Sequence, residues 1–151
     1  MAQQVRLNNT NLPFILGGEA VYKAGAVLAQ DAGRSGDLVC NTVMGKIAAS
    51  GKWAAYELVT ATDGTAIPQG IYRGPTILEA TIQAGDVDDV AILVGGLACL
   101  VDESQLVYEN SYTRATVITL ATEDLRTIED HLAVRGIFMA DVVNISDFEN
   151  A

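Results

Sequence analysis

Side chains able to exchange protons or attack a bond are few in this chain. His131 is the only histidine. It falls between the apolar ladder positions Ile128 and Leu132 with no nucleophile motif nearby, so it reads as a satisfied surface or boundary residue of a helix rather than a general base. Ser35 has Gly33 two residues before it but Asp37 two residues after it. It therefore lacks the glycine pair that a nucleophile elbow requires. Gly95-Gly96 is followed by no Lys-Ser/Thr pair and opens no helix, which removes a phosphate-cradling loop. Asp86, Asp88 and Asp89, with Asp102 and Glu103 further on, offer hard oxygen ligands of the kind calcium takes. The alternating ligands, central glycine and closing glutamate of a calcium loop are missing, and a solvated turn is the better reading. Cys40 and Cys99 carry no metal-ligand spacing and are too few for a disulfide scaffold, so they read as small buried side chains. Trp53, Tyr56 and Tyr72 present flat rings on which bases or sugars stack. Only Lys52 and Arg73 flank them, and packing in a core or between subunits is expected instead. No catalytic residue, no metal site and no cofactor is expected, and the chain is not read as an enzyme.

The composition points the same way. The chain has 151 residues, and nine Lys and Arg against nineteen Asp and Glu leave a net charge of −10, a field that repels phosphate. Nucleic acid is therefore not an expected partner. Half of the residues are hydrophobic and only 19% are charged, a high apolar share for a small domain with a large surface, so part of that surface is expected to meet another protein. The longest apolar run, Val90 to Val101, is twelve residues with Gly95 and Gly96 inside it. That is too short to span a bilayer. Arg6 alone precedes the apolar-rich stretch from Leu12, which Glu19 and Lys23 interrupt, so no secretory signal is read and synthesis in a cytoplasm is expected.

The elements that must carry these residues are mostly strands. Residues 1–18 combine Asn8, Asn9 and Asn11, the apolar knot Leu12, Phe14, Ile15 and Leu16, and a closing Gly17-Gly18; they read as an arm with a hinge. Residues 19–145 form a β-rich domain, and 146–151 an acidic tail. Strands are expected at Ala26-Val27-Leu28, from Leu38-Val39-Cys40 onward, and in a hairpin turning at Ser50-Gly51 into Lys52–Tyr56. Gly70–Arg73, bracketed by Pro68 and Pro75, is expected at an edge or rim. Val90–Val94 is the strongest strand signal, bent at Gly95-Gly96 and continued by Leu97–Val101. One helix is expected, capped by Thr122, with Glu123 and Asp124 in its first turn, Leu125, Ile128 and Leu132 on its core face, and Arg135-Gly136 ending it. Ile137-Phe138-Met139 and Val142-Val143 suggest a final strand. The fold class is mainly β with one packed helix (α+β).

Five stretches, Ala24-Gly25-Ala26-Val27-Leu28, Ala49-Ser50-Gly51-Lys52-Trp53, Thr62-Asp63-Gly64-Thr65-Ala66-Ile67-Pro68-Gln69-Gly70-Ile71, Asp89-Val90-Ala91-Ile92-Leu93-Val94-Gly95-Gly96 and the helix running into Arg135-Gly136-Ile137, stand out. Taken together they resemble the head decoration protein D family of tailed bacteriophages, the lambda-type capsid-stabilising proteins. The blocks occur in order from about residue 19 to 139. The resemblance implies a β-tulip fold, a homotrimer on the three-fold axes of the outer capsid surface, and an arm that adds a strand to the major capsid protein. It places the protein in the virion, as a cement that stabilises the expanded head. Such an arm pairs by β-augmentation, with main-chain hydrogen bonds giving affinity and alternate side chains giving register. Val5, Arg6, Leu7, Leu12, Pro13, Phe14 and Ile15 are its candidate contacts, with Val5, Leu7, Leu12, Phe14 and Ile15 as buried alternates. Removing residues 1–16 is expected to leave a folded domain. The alternative is a small β-rich module that binds carbohydrate or a host surface through Tyr22, Trp53 and Tyr108.

Overall fold

The computed structural model describes residues 13–56, 63–118 and 126–141. Six strands form one mixed sheet: β1 (Ile15–Leu28), β2 (Val43–Lys46), β3 (Trp53–Ala55), β4 (Pro68–Tyr72), β5 (Val87–Asp102) and β6 (Ile137–Ala140). Helix α1 (Glu79–Ala84) precedes β5, and α2 (Ile128–Val134) precedes β6. The strand order is β1-β3-β2-β4-β5-β6, and β1 also pairs with β5, so the first five strands close into a ring. Closure at the β1–β3 seam is slight: Leu28 faces Trp53 in parallel, and the Ala29 N–H donates to the Trp53 carbonyl at 2.8 Å. The β1–β5 side carries most of the ladder, antiparallel from Ile15↔Val101 to Leu28↔Val87.

Alternation along the strands feeds two apolar clusters on opposite faces of the sheet. Met44, Trp53, Tyr72, Val90 and Ile92 gather with Ala26, Leu28, Leu38 and Ile82. Their neighbours Val43, Ile71 and Leu93 turn the other way and pack with Phe14, Tyr56, Cys99, Val101, Ile128, Leu132 and Ile137. Since side chains point to opposite faces at each step along a strand, a sheet covered on both faces reads as continuous apolar runs such as Val90–Val94.

The β2–β3 hairpin forms as the sequence implies, with Lys46 opposite Trp53 and Gly51 at positive φ in the turn. The strand bracketed by prolines does not lie at an edge. β4 sits between β2 and β5, because Pro68 occupies its first position, where a missing N–H is tolerated. A Cβ on Gly70 would lie 2.8 Å from Ile92 Cγ2 and 3.1 Å from the Trp53 ring, a measure of how tightly this strand is enclosed. Leu38 forms only a single bridge, to Ile77, and the next strand begins at Val43.

The helix also starts later than Thr122 would place it. Thr127 is extended and caps α2: its hydroxyl accepts from the Asp130 N–H at 3.2 Å, and the Asp130 carboxylate accepts from the Thr127 N–H at 3.0 Å. This reciprocal capping box satisfies two otherwise orphan donors, an advantage Thr122 lacks with Leu125 three residues on. Ile128 and Leu132 are fully buried, as their spacing implies, whereas Thr122, Glu123, Asp124 and Leu125 lie outside the described residues. Gly136 ends the helix at positive φ, and a Cβ there would collide with the Gly96 carbonyl. The six-residue α1, with Ile82 as its buried residue, is a second helix the sequence reading did not include.

Two expectations follow for stability. Leu132→Ala leaves a cavity in a fully buried cluster and should cost about 2–5 kcal/mol in urea unfolding; a cost under 1 kcal/mol would mean that α2 does not carry the core. The Tyr56 hydroxyl is buried with no hydrogen-bond partner among the described residues, and its pKa is raised by burial first and by Tyr112 second. An unfolded tyrosine ionises near pH ~10, so burial of the neutral phenol costs no pH-dependent stability below that pH, and the folded state loses stability as pH rises above it, where the unfolded chain ionises first. Tyr56→Phe should be neutral to stabilising by about 1 kcal/mol and should reduce the alkaline loss, as measured by thermal melts from pH 7 to 11.

Candidate functional site

The groups able to do chemistry are dispersed, and several are held in local interactions. His131 is buried on α2, more deeply than a surface or boundary position implies. Cys99 is buried, and desolvation raises its thiol pKa; Cys40 is half-buried, and neither forms a disulfide. Ser35 is exposed in a loop that Arg34 organises. The buried Arg34 guanidinium donates to the carbonyls of Gly36 and Asp37 at 3.1 and 3.2 Å and pairs with Glu109 at 2.7 Å. Asp86 accepts from Lys52 at 2.5 Å and from the Gln30 N–H at 2.8 Å, and these bonds, the Lys52 bond foremost, lower its pKa. Asp102 caps the 3₁₀ turn Glu103–Gln105 through the Ser104 N–H. Among the described residues, no three His, Cys, Asp or Glu side chains converge on a metal position.

A cavity of about 250 Å³ opens beside Leu28, Leu38, Ala55 and Ile82, with Asp31, Arg34, Asp63 and Thr65 also in its lining. Its carboxylates are occupied locally. Asp31 accepts from the Gly33 N–H at 3.0 Å, and Asp63 accepts from the Thr65 N–H and hydroxyl at 3.0 and 2.5 Å. Those Thr65 bonds hold the Asp63 pKa down, the hydroxyl bond first. Among the described residues the cavity is thus a recess of mixed lining whose two carboxylates are held in local hydrogen bonds. Trp53, Tyr56 and Tyr72 are all buried, which removes Trp53 from any exposed stacking platform.

The most constructed feature is where the chain enters the domain at Pro13 and Phe14. Phe14 is 5% exposed and belongs to the cluster beneath α2. The Arg73 guanidinium lies over its ring, 4.5 Å from the centroid. The same guanidinium donates to the Asn41 side-chain oxygen and lies 3.6 Å from Cys40 Sγ. Main-chain bonds complete the anchor: the Asp102 N–H donates to the Phe14 carbonyl at 2.8 Å, and Ile15 pairs with Val101. Gln105 Nε2 reaches the Pro13 carbonyl at 3.5 Å and Asp102 Oδ2 at 2.9 Å. A cation over an aromatic face is worth about 0.5–2 kcal/mol, according to its exposure.

This geometry revises the arm's boundary. Phe14 and Ile15, grouped with the arm in the sequence, belong to the domain, and Gly17-Gly18 lie within β1 rather than at a hinge. Pro13 is exposed at the margin. Val5, Arg6, Leu7 and Leu12 lie outside the described residues. Arg73, Asn41 and Asp102 form the anchor, whose one local signal is an arginine with no acidic neighbour just after an apolar strand. No protein-family model and no curated protein matches the chain.

Phe14→Ala should lower stability by about 3 kcal/mol in chemical denaturation and should loosen hydrogen-exchange protection at the Asp102 amide. A cost near zero would mean that Phe14 is not an anchor.

Proposed function

We propose that this chain is a structural decoration protein of a phage head: a homotrimer on the outer capsid surface that staples major capsid subunits and stabilises the expanded shell. The observation that carries the reading is the anchored root. Phe14, buried under Arg73 and bonded through its carbonyl to Asp102, gives residues 1–12 a fixed point of departure from a folded domain. A segment of that length reaches at most about 40 Å when extended, so its binding site must lie close to the domain's footprint. The mainly β architecture, the engaged ionisable groups and the acidic, apolar-rich composition support adhesion over catalysis. In a trimer three arms act together, and individually weak contacts gain from the high effective concentration of the second and third. Binding to one shell conformation stabilises it by mass action.

Co-sedimentation with purified phage heads, before and after expansion, tests this. The full chain should bind expanded heads and raise their melting temperature. A variant lacking residues 1–12 should keep its own melting temperature and lose attachment. A variant lacking residues 1–16 should lose stability as well, since it discards Phe14 and the start of β1. Undiminished attachment without residues 1–12 would remove the arm from the mechanism, and binding to isolated glycans in place of heads would favour the carbohydrate-binding alternative.

A further inference from the structure

Among the described residues, the outer edge of β1 has no strand partner over most of its length. One edge pairs with β5 throughout, whereas on the other, among the described residues, only Leu28 has a strand partner. Such an edge presents unpaired N–H and C=O groups and templates pairing with another strand. Its middle, Glu19-Ala20-Val21-Tyr22-Lys23, runs without interruption on β1. The register shift between Val21 and Tyr22 arises from the extra residue Val94 on β5, and the other irregularities lie outside this segment, beyond Glu19 and beyond Lys23. Val21 is 51% exposed and Tyr22 48%. Glu19 and Lys23 are exposed, and neither takes part in an ion pair among the described residues.

We propose that this edge is an interface between two copies of the chain, their β1 strands pairing antiparallel about a two-fold axis at Val21. In that register Glu19 of each copy faces Lys23 of the other, and Val21 faces its own counterpart. On the opposite face each Tyr22 ring lies against the other copy's Ala20. The segment is thus self-complementary: both charges are neutralised at a cross-strand spacing of about 5 Å. Parallel pairing in register would instead set glutamate against glutamate and lysine against lysine. The contact is isologous and closes on itself. It does not depend on the three-fold contact proposed above, and where both form with their axes crossing at right angles, trimers associate in pairs.

Sedimentation velocity on the full chain across a concentration series tests the interface. The wild type should form an assembly with an even number of chains. Glu19→Lys and Lys23→Glu should each halve its mass, although they move the net charge of −10 in opposite directions. The double variant Glu19→Lys/Lys23→Glu should restore the wild-type mass, because the swapped pair is again complementary. Circular dichroism should be unchanged in all three, since both positions are exposed, and any fall in melting temperature in the single variants should be regained in the double variant, because association stabilises the folded chain by mass action. Equal masses for the wild type and the single variants, or no recovery in the double variant, would overturn the proposal. Whether the halved species contains one chain or three reports separately on the three-fold contact.

Discussion

The long antiparallel pairing of β1 with β5 is the constraint on which the other features rest. It brings Ile15 beside Val101 at one end and Leu28 beside Val87 at the other, converting an open sheet into a ring. Without it the β1–β3 seam, a single residue pair, would have nothing to hold it. The same pairing sets the position of Phe14 immediately before β1, where the Asp102 N–H at the end of β5 meets its carbonyl. Among the described residues it also leaves the other edge of β1 without a strand partner over residues 15–27.

The ribbon has a cost in regularity. Its register shifts at several points, and bulges strengthen twist and bend a strand. Gly96 lies where β1, β5 and the end of α2 converge. A Cβ there would collide with the Glu19 carbonyl, while the Gly96 N–H donates to the Arg135 carbonyl at 3.1 Å. The close approach lets β6 follow α2 directly and pair with β5 in parallel from Cys99↔Ile137 to Asp102↔Ala140. One glycine contact thus joins the ribbon to the helix that covers the apolar cluster around Phe14.

Much of this was legible from local signals. The Ser50-Gly51 turn, the Val90–Val94 strand, the helix ending at Arg135-Gly136 and the burial of Ile128 and Leu132 follow from periodicity and turn chemistry. What was not legible depends on partners distant in sequence. Gly17-Gly18 reads as a hinge until β5 supplies a strand for it to pair with, and Phe14 reads as part of an arm until Arg73, fifty-nine positions away, lies over its ring. Pro68 suggested an edge because sequence alone does not show that it sits at the first position of its strand. The start of α2 turned on the choice between two threonines, settled by the reciprocal bonds of Thr127 with Asp130. The anchor at Arg73, Asn41 and Asp102 has no spacing signature, because three separate segments assemble it.

In the function proposed above, the protein is an adhesive whose folded domain presents residues 1–12 to a shell. Cryo-electron microscopy of expanded phage heads incubated with the full chain tests this most directly. It predicts three-fold knobs on the outer surface, with Phe14 seated in the domain and residues 1–12 paired as a strand against the major capsid protein. Heads left bare, or knobs attached through another face with no strand added to the shell, would contradict it.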